Sequence, residues 1–235
     1  FATLEETYNP SEPQALTAWY GRVDAAAQQA DRRFISGMRP HHAGALTMSD
    51  DYLNDKAARH NGLQQLARGI IHNQKFEIGM LDSVEAYLEA AQSDSVRPVG
   101  QVAAEGLAQQ QKFFRAPVPG PLDLWAGSRE VSARDVQFAK AMIIHHEAAL
   151  VMAREYLRDP DAGNGYLRQM CLDILLDQAQ EIAFMHGVID DYAGNPDDVK
   201  IDASMIHGME GMNHGGMSHD APMDHSAMKH GGAHH

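Results

Sequence analysis

Cysteine is nearly absent: Cys171 is the one thiol in 235 residues, so no disulfide forms within the chain. Any metal site must therefore draw on imidazole, thioether, carboxylate or backbone groups, with at most one thiolate. Avoidance of cysteine suits a compartment in which thiols oxidise. Positive charge is scarce too. Lys and Arg number 19 against 32 Asp and Glu, a net charge of −13 with histidine neutral. Such a surface repels phosphate backbones, which argues against a nucleic-acid partner, and it concentrates cations. No run of about 18 apolar residues exists, so no segment reads as inserting into a membrane. Strand-like alternation of β-branched residues is missing as well. The chain begins with Phe1 rather than Met. A removed signal peptide is the simplest explanation, and it predicts an exported protein, periplasmic or extracellular.

What is present is a repeat. Asp31, Phe34, Met38, His41, His42, Ala45, Leu46, Met48, Tyr52 and Leu53 recur 104 residues later as Asp135, Phe138, Met142, His145, His146, Ala149, Leu150, Met152, Tyr156 and Leu157. The same shift relates Asp55, Leu63, Ile70, Gln74, Glu77, Ile78 and Val84 to Asp159, Leu167, Ile174, Gln178, Glu181, Ile182 and Val188. So many matches without an insertion identify a tandem duplication. Apolar residues recur at three- and four-residue spacing, so each copy reads as two helices. The breaks fall at Lys56–Gly62 and Asp159–Gly165, and Ser132 with Asp135 has capping-box spacing. Helical pattern also precedes the first copy from about Pro13, and a short helix is expected around Val102–Phe114. The predicted organisation is an extension over 1–12, an all-α antiparallel four-helix bundle over 13–192, and a tail over 193–235. Within the bundle, repeat one covers about 31–92, a crossover linker 93–131, and repeat two about 132–192. A pseudo-twofold axis should relate the halves.

From Ile201 the composition changes. Met205, His207, Met209, Met212, His214, Met217, His219, Met223, His225, Met228 and His230 sit among Gly, Ser and Asp, with His234 and His235 at the end. Almost no large apolar residue is left to form a core, so this segment is expected to be disordered unless something binds it.

The chemistry concentrates in Met-x-x-His-His-x-x-x-x-x-Met. It is present as Met38, His41, His42 and Met48 and again as Met142, His145, His146 and Met152. At 100° per residue these four side chains share one helical stripe with Phe34, Ala45 and Tyr52. Methionine on such a stripe is usually core filler, and Met80, Met170 and Met185 are read that way. A lone interior histidine is usually structural, the reading for His60 and His72. Two adjacent imidazoles beside a thioether, duplicated at identical offsets, are poor filler. They cost desolvation and need partners. Glu77 and Glu181 could accept from the second ring nitrogens, as carboxylates behind metal-bound histidines do. Thioether and imidazole together select Cu(I), with Ag(I) as its mimic, and histidine adds affinity for Cu(II). Neither copy contains the Glu-x-x-His of di-iron bundles, and no nucleophile or triad is evident. A copper-binding protein, with a delivery partner of unknown identity, is therefore preferred to the alternative, a metal-dependent oxidase on the same bundle.

The segments DRRFISGMRPHHAGALTM and DVQFAKAMIIHHEAALVM, with Gln74…Glu77-Ile78 and Gln178…Glu181-Ile182, resemble the bacterial ferritin-like family known as domain of unknown function 305. The resemblance covers roughly Asp24–Tyr192. The family includes CopM-type periplasmic copper-binding proteins, which are similar in their His/Met-rich C-terminus. The resemblance implies an exported protein that binds copper and supports copper tolerance. One departure is Pro40, where the second copy has Ile144; proline removes a helical hydrogen bond and makes the first site different in shape.

Replacing Met38, Met48, Met142 and Met152 by Leu conserves volume and apolarity. Cu(I) affinity, measured against a chromogenic chelator, should fall, while the melting temperature changes little. Unchanged affinity would return these methionines to core filling.

Overall fold

Each copy carries its own start and stop signals. Ser132 accepts from the Asp135 amide while Asp135 accepts from the Ser132 amide, the reciprocal capping box. Asn164 caps the next helix by accepting from the Tyr166 and Leu167 amides. At the matching position of the first copy, His60 does the same work with imidazole: its Nδ1 accepts from the Leu63 amide at 3.0 Å. Asp159 then Pro160 ends the third helix. The computed structural model describes residues 25–90, 113–120 and 130–209. Among these are four long helices and no strand: α1 (Ala25–Asn54), α2 (Asn61–Ala90), α3 (Ala133–Arg158) and α4 (Gly165–Asp190). Short 3-10 turns follow at Pro196–Asp198 and Ala203–Met205. The extension over 1–12, the helical pattern expected from Pro13, most of the helix expected near Val102–Phe114, and the candidate tail ligands from Met212 onward lie outside the described residues. Phe113 and Phe114 are not helical.

The helices pair as two hairpins, α1 with α2 and α3 with α4, and the hairpins meet chiefly along α1 and α3. Their direction follows from two mirrored contacts. Tyr52 near the end of α1 stacks on Phe138 near the start of α3, centroids 4.1 Å apart. Tyr156 near the end of α3 packs on Phe34 near the start of α1 at 4.6 Å. The two helices are therefore antiparallel, with a pseudo-twofold axis midway. Since α2 reverses α1, the link from α2 to α3 must run the length of the bundle, as expected. Part of that link is visible as a strap over the middle of α2. Phe113 stacks on Phe76 at 3.9 Å, and Ala116 exchanges two hydrogen bonds with Asn73.

The symmetry divides the core into two matching halves. One holds Met48, Tyr52, Leu63, Leu66, Ile70, Phe138, Met142 and Met185. The other holds Phe34, Met38, Leu81, Tyr156, Leu167, Met170, Cys171 and Ile174. Fully buried side chains such as Leu63, Ile70, Leu167 and Ile174 each contribute on the order of 2 kcal/mol. Met80, Met170 and Met185 are buried there as filler. Pro40 does not break α1, which runs through it. Among the described residues no helix is long and apolar enough to cross a membrane.

The ends of the bundle are tied by two equivalent polar latches. Asp135 accepts the Tyr52 hydroxyl at 2.5 Å and the backbone amides of Arg59 and His60. Asp31 accepts the Tyr156 hydroxyl at 2.6 Å and the Asn164 amide at 3.1 Å. Both carboxylates are buried, so each needs its donors, and bonds to charged groups are worth about 1.5–3 kcal/mol. Asp135→Ala should therefore cost about 2–4 kcal/mol in urea unfolding, and Tyr156→Phe about 1–3 kcal/mol, because each strands buried partners. Equal midpoints for wild type and Asp135→Ala would show that the latch is not under load.

Candidate metal centre

The repeated histidines occupy the pseudo-twofold axis. Small residues around them, Gly37 and Ala45 on α1 and Ala141 and Ala149 on α3, let the two backbones approach. His41 and His145 then reach across. The Nε2 of His41 lies 3.0 Å from the His145 carbonyl oxygen, and the Nε2 of His145 lies 3.0 Å from that of His41. The two rings stand 3.6 Å apart between centroids, tilted by 31°. His42 and His146 turn outward to the second helix of their own hairpin. His42 Nε2 is 2.7 Å from Glu77, and His146 Nε2 is 2.5 Å from Glu181. All four imidazoles are fully buried, and both glutamates nearly so.

The partners decide the tautomers. A carbonyl only accepts, and so does an ionised carboxylate, so each Nε2 carries its proton and donates. Where a ring is neutral its Nδ1 is then a bare lone pair, and the layer holds four Nδ1 atoms. All four are buried without a hydrogen-bond partner among the described residues. The amide oxygens of Gln74 and Gln178, one turn before the two glutamates, are buried and unpartnered as well. Each such acceptor costs about 1–3 kcal/mol when nothing satisfies it. Burial, and then the nearby rings of His42 and His146, push His41 well below the ordinary imidazole value of 6.5. His145 is lowered in the same way, by burial first and then by His41 and His146. Both are held neutral.

Charge in the layer comes from the glutamates. Burial alone would raise the Glu77 carboxyl, but the His42 hydrogen bond and the Arg115 guanidinium outweigh it and hold it below the ordinary carboxylate value. Arg115 lies on the strap. It donates to Glu77 at 2.9 Å and to Asp177 of α4 at 2.7 Å, so it bridges α2 and α4. Sequence reasoning missed this residue. It lies in the linker, outside the repeat, and a single arginine carries no spacing that points to its partner.

Met38, Met48 and Met142 are buried and Met152 is half-buried, but the four do not form one set. Met38 and Met48 lie on one helix on either side of the histidines. Because α1 and α3 are antiparallel, Met38 shares its half of the core with Met152, and Met48 shares the other with Met142. Among the described residues, no group of three or more His, Cys, Asp or Glu is gathered as a metal cage. An ion held here would use two imidazoles, or imidazole with thioether or backbone oxygen. His60 is buried, as expected. His72 instead lies at the surface, its Nε2 2.9 Å from the Phe114 carbonyl.

The first residues of the tail depart from expectation. The change of composition at Ile201 is not where the chain leaves the bundle. Lys140 of α3 donates to the carbonyls of Pro196 and Val199, and Gln137 to that of Lys200. Val199 is buried, and Met205 and Ile206 pack against the half of the core that holds Met48 and Met142. A few apolar residues among the polar ones suffice, because the bundle supplies the rest of the core.

The sequence profile of one family matches residues 4–111 and again 135–233, most of the chain in two copies. The chain belongs to the family described as domain of unknown function 305 (DUF305). No curated protein and no solved structure matches it. The two DUF305 copies each contribute one His-His pair and one glutamate to the central layer.

The neutral histidines set a pH dependence. The unfolded chain takes up protons near pH 6.5, and the folded chain does so only well below it. Stability is therefore full above about 6.5 and is lost as pH falls toward the depressed values. For metal-free protein the loss should approach 1.4 kcal/mol per pH unit for each of His41 and His145, about that slope per group by linkage. Urea unfolding between pH 7.5 and 5.5 measures it, and His41→Gln with His145→Gln should flatten it. A pH-independent wild type would contradict the burial of two neutral imidazoles.

Proposed function

We propose that this chain is an exported protein that binds Cu(I), and also Cu(II), as a copper buffer, scavenger or carrier in copper tolerance. One observation carries the reading: four buried imidazoles have Nε2 anchored on a carbonyl or carboxylate and Nδ1 without a hydrogen-bond partner among the described residues. A histidine whose far nitrogen is fixed on a carboxylate or carbonyl is in the form that ligates a metal. A cation satisfies acceptors that no donor reaches. Its charge is balanced by Glu77 and Glu181, which lie directly behind His42 and His146.

The softness of the surroundings selects the ion. Thioethers flank the histidines on both sides in the two halves of the core, and sulfur with imidazole favours Cu(I) and Ag(I) over hard cations. The Met/His-rich tail adds capacity for both oxidation states of copper. Its glycine-rich sequence offers ligands without a prepared scaffold, so its sites are weaker than those on rigid helices. A copper-delivery protein is the expected partner. The competing function, a metal-dependent oxidase, predicts oxygen consumption by the loaded protein.

The test uses a chain ending at Met209, which keeps every described residue. Titrated against a Cu(I) chelator, it should bind copper as tightly as the full chain but with fewer ions per molecule. Glu77→Gln and Glu181→Gln should each weaken binding about 10–100-fold, the usual effect of removing the group behind a ligating histidine. No binding by the shortened chain would overturn the central site. Steady oxygen consumption would favour the oxidase.

A further inference from the structure

Among the places where the two copies differ, one faces a segment outside the repeat. The first copy has Gly44 where the second has Ala148. Gly44 lies on α1, two residues past His42. A methyl group there would stand 2.3 Å from the His207 carbonyl oxygen, 2.4 Å from its carbon and 2.7 Å from the Gly208 nitrogen. All three are backbone atoms, so no rotation of a side chain relieves the contact. The opposing residue is equally constrained. Gly208 has φ +77°, a conformation in which a side chain is strained, and a Cβ on it would lie 2.6 Å from the Pro40 carbonyl oxygen and 2.9 Å from that of His41. Two glycines thus meet backbone to backbone over the α1 turn that carries His41 and His42.

From this we infer that Gly44 and Gly208 form a dock for the root of the Met/His-rich tail, and that the dock delivers copper from the tail to the histidine layer within one molecule. The inference rests on the copper reading above for its second half only. The partner of this α1 surface is the chain's own segment 205–209. Its side chains suit transfer. Met205 packs against the half of the core that holds Met48 and Met142. His207 is partly exposed, with its Nε2 4.0 Å from Asp51. The tail ligands from Met212 onward follow directly in sequence. Tethering at this point places them at high effective concentration beside α1. It also assigns the Met48–Met142 half as the route inward, and the Met38–Met152 half as the far side.

The full-length chain tests this with Gly44→Ala and Gly208→Ala, and with Gly79→Ala as control, since nothing lies within 4 Å of a Cβ at Gly79. Gly208 is outside the bundle, so its variant makes the test even if Gly44→Ala folds poorly. Hydrogen exchange is the first readout and needs no metal. Amides of residues 203–209 should exchange at least about tenfold faster in both dock variants, with the four helices and the control unchanged. Stopped-flow transfer of Cu(I) from a chromogenic chelator is the second. The phase lost in a His41→Gln, His145→Gln chain reports the bundle. That phase should slow at least about fivefold in the dock variants, with unchanged final affinity and stoichiometry. Unchanged exchange overturns the dock itself. Faster exchange with an unchanged copper phase overturns delivery and leaves a structural strap. Faster exchange with no copper phase even in wild type overturns delivery together with the copper reading, and the two failures are thereby told apart.

Discussion

The reciprocal pair of hydrogen bonds between His41 and His145 is the constraint around which the molecule is arranged. Each ring reaches the backbone of the other helix at 3.0 Å. That reach demands close approach of α1 and α3, and close approach demands Gly and Ala at the crossing. It also demands that the rings be neutral, since neither can keep a second proton in so dry a place. The antiparallel setting of α1 and α3 follows, and with it the long crossover, the two matched core halves and the two end latches. A bundle with only apolar side chains at this level would pack without the cost of the bare acceptors. The polar layer is therefore held at a cost in stability.

Duplication explains the economy of the arrangement, and the linker breaks its symmetry. His42–Glu77 and His146–Glu181 are the same contact made twice. Yet Arg115 pairs with Glu77 while shared with Asp177, and among the described residues no arginine pairs with Glu181. The tail breaks the symmetry again by settling on α1 at Gly44 instead of on α3 at Ala148. A twofold core thus acquires a near and a far side from segments that lie outside the repeat. Both segments add backbone contacts and charges to apolar ones, Phe113 on Phe76 and Val199, Met205 and Ile206 against the core.

Much of this was legible in the residues. The repeat offset, the helix breaks, the capping box at Ser132 and the interior placement of the His-His stripe all follow from local spacing. The pairing of Glu77 and Glu181 with histidine stood open in the sequence beside a capping or surface role, and the fold brings each to the second histidine of its own copy. What could not be read were relations between segments far apart in the chain. Met38 and Met48 share a stripe but not a half of the core, because that depends on the direction of α3. The strap's Arg115 and the docked root of the tail carry no periodic signal.

The sequence by itself determined four amphipathic helices in two related hairpins, a doubled set of thioether and imidazole side chains, and the absence of any disulfide within the chain to hold them. Period and cap chemistry act over a few residues, so they survive in one dimension. The tertiary structure alone decided which nitrogen of each histidine is left bare. That choice depends on where a carbonyl or carboxylate from another helix stands, and those acceptors come from 35 to 104 residues away. It likewise decided that a glycine on α1 receives the tail, since the fit there is between two backbones and is invisible until they meet.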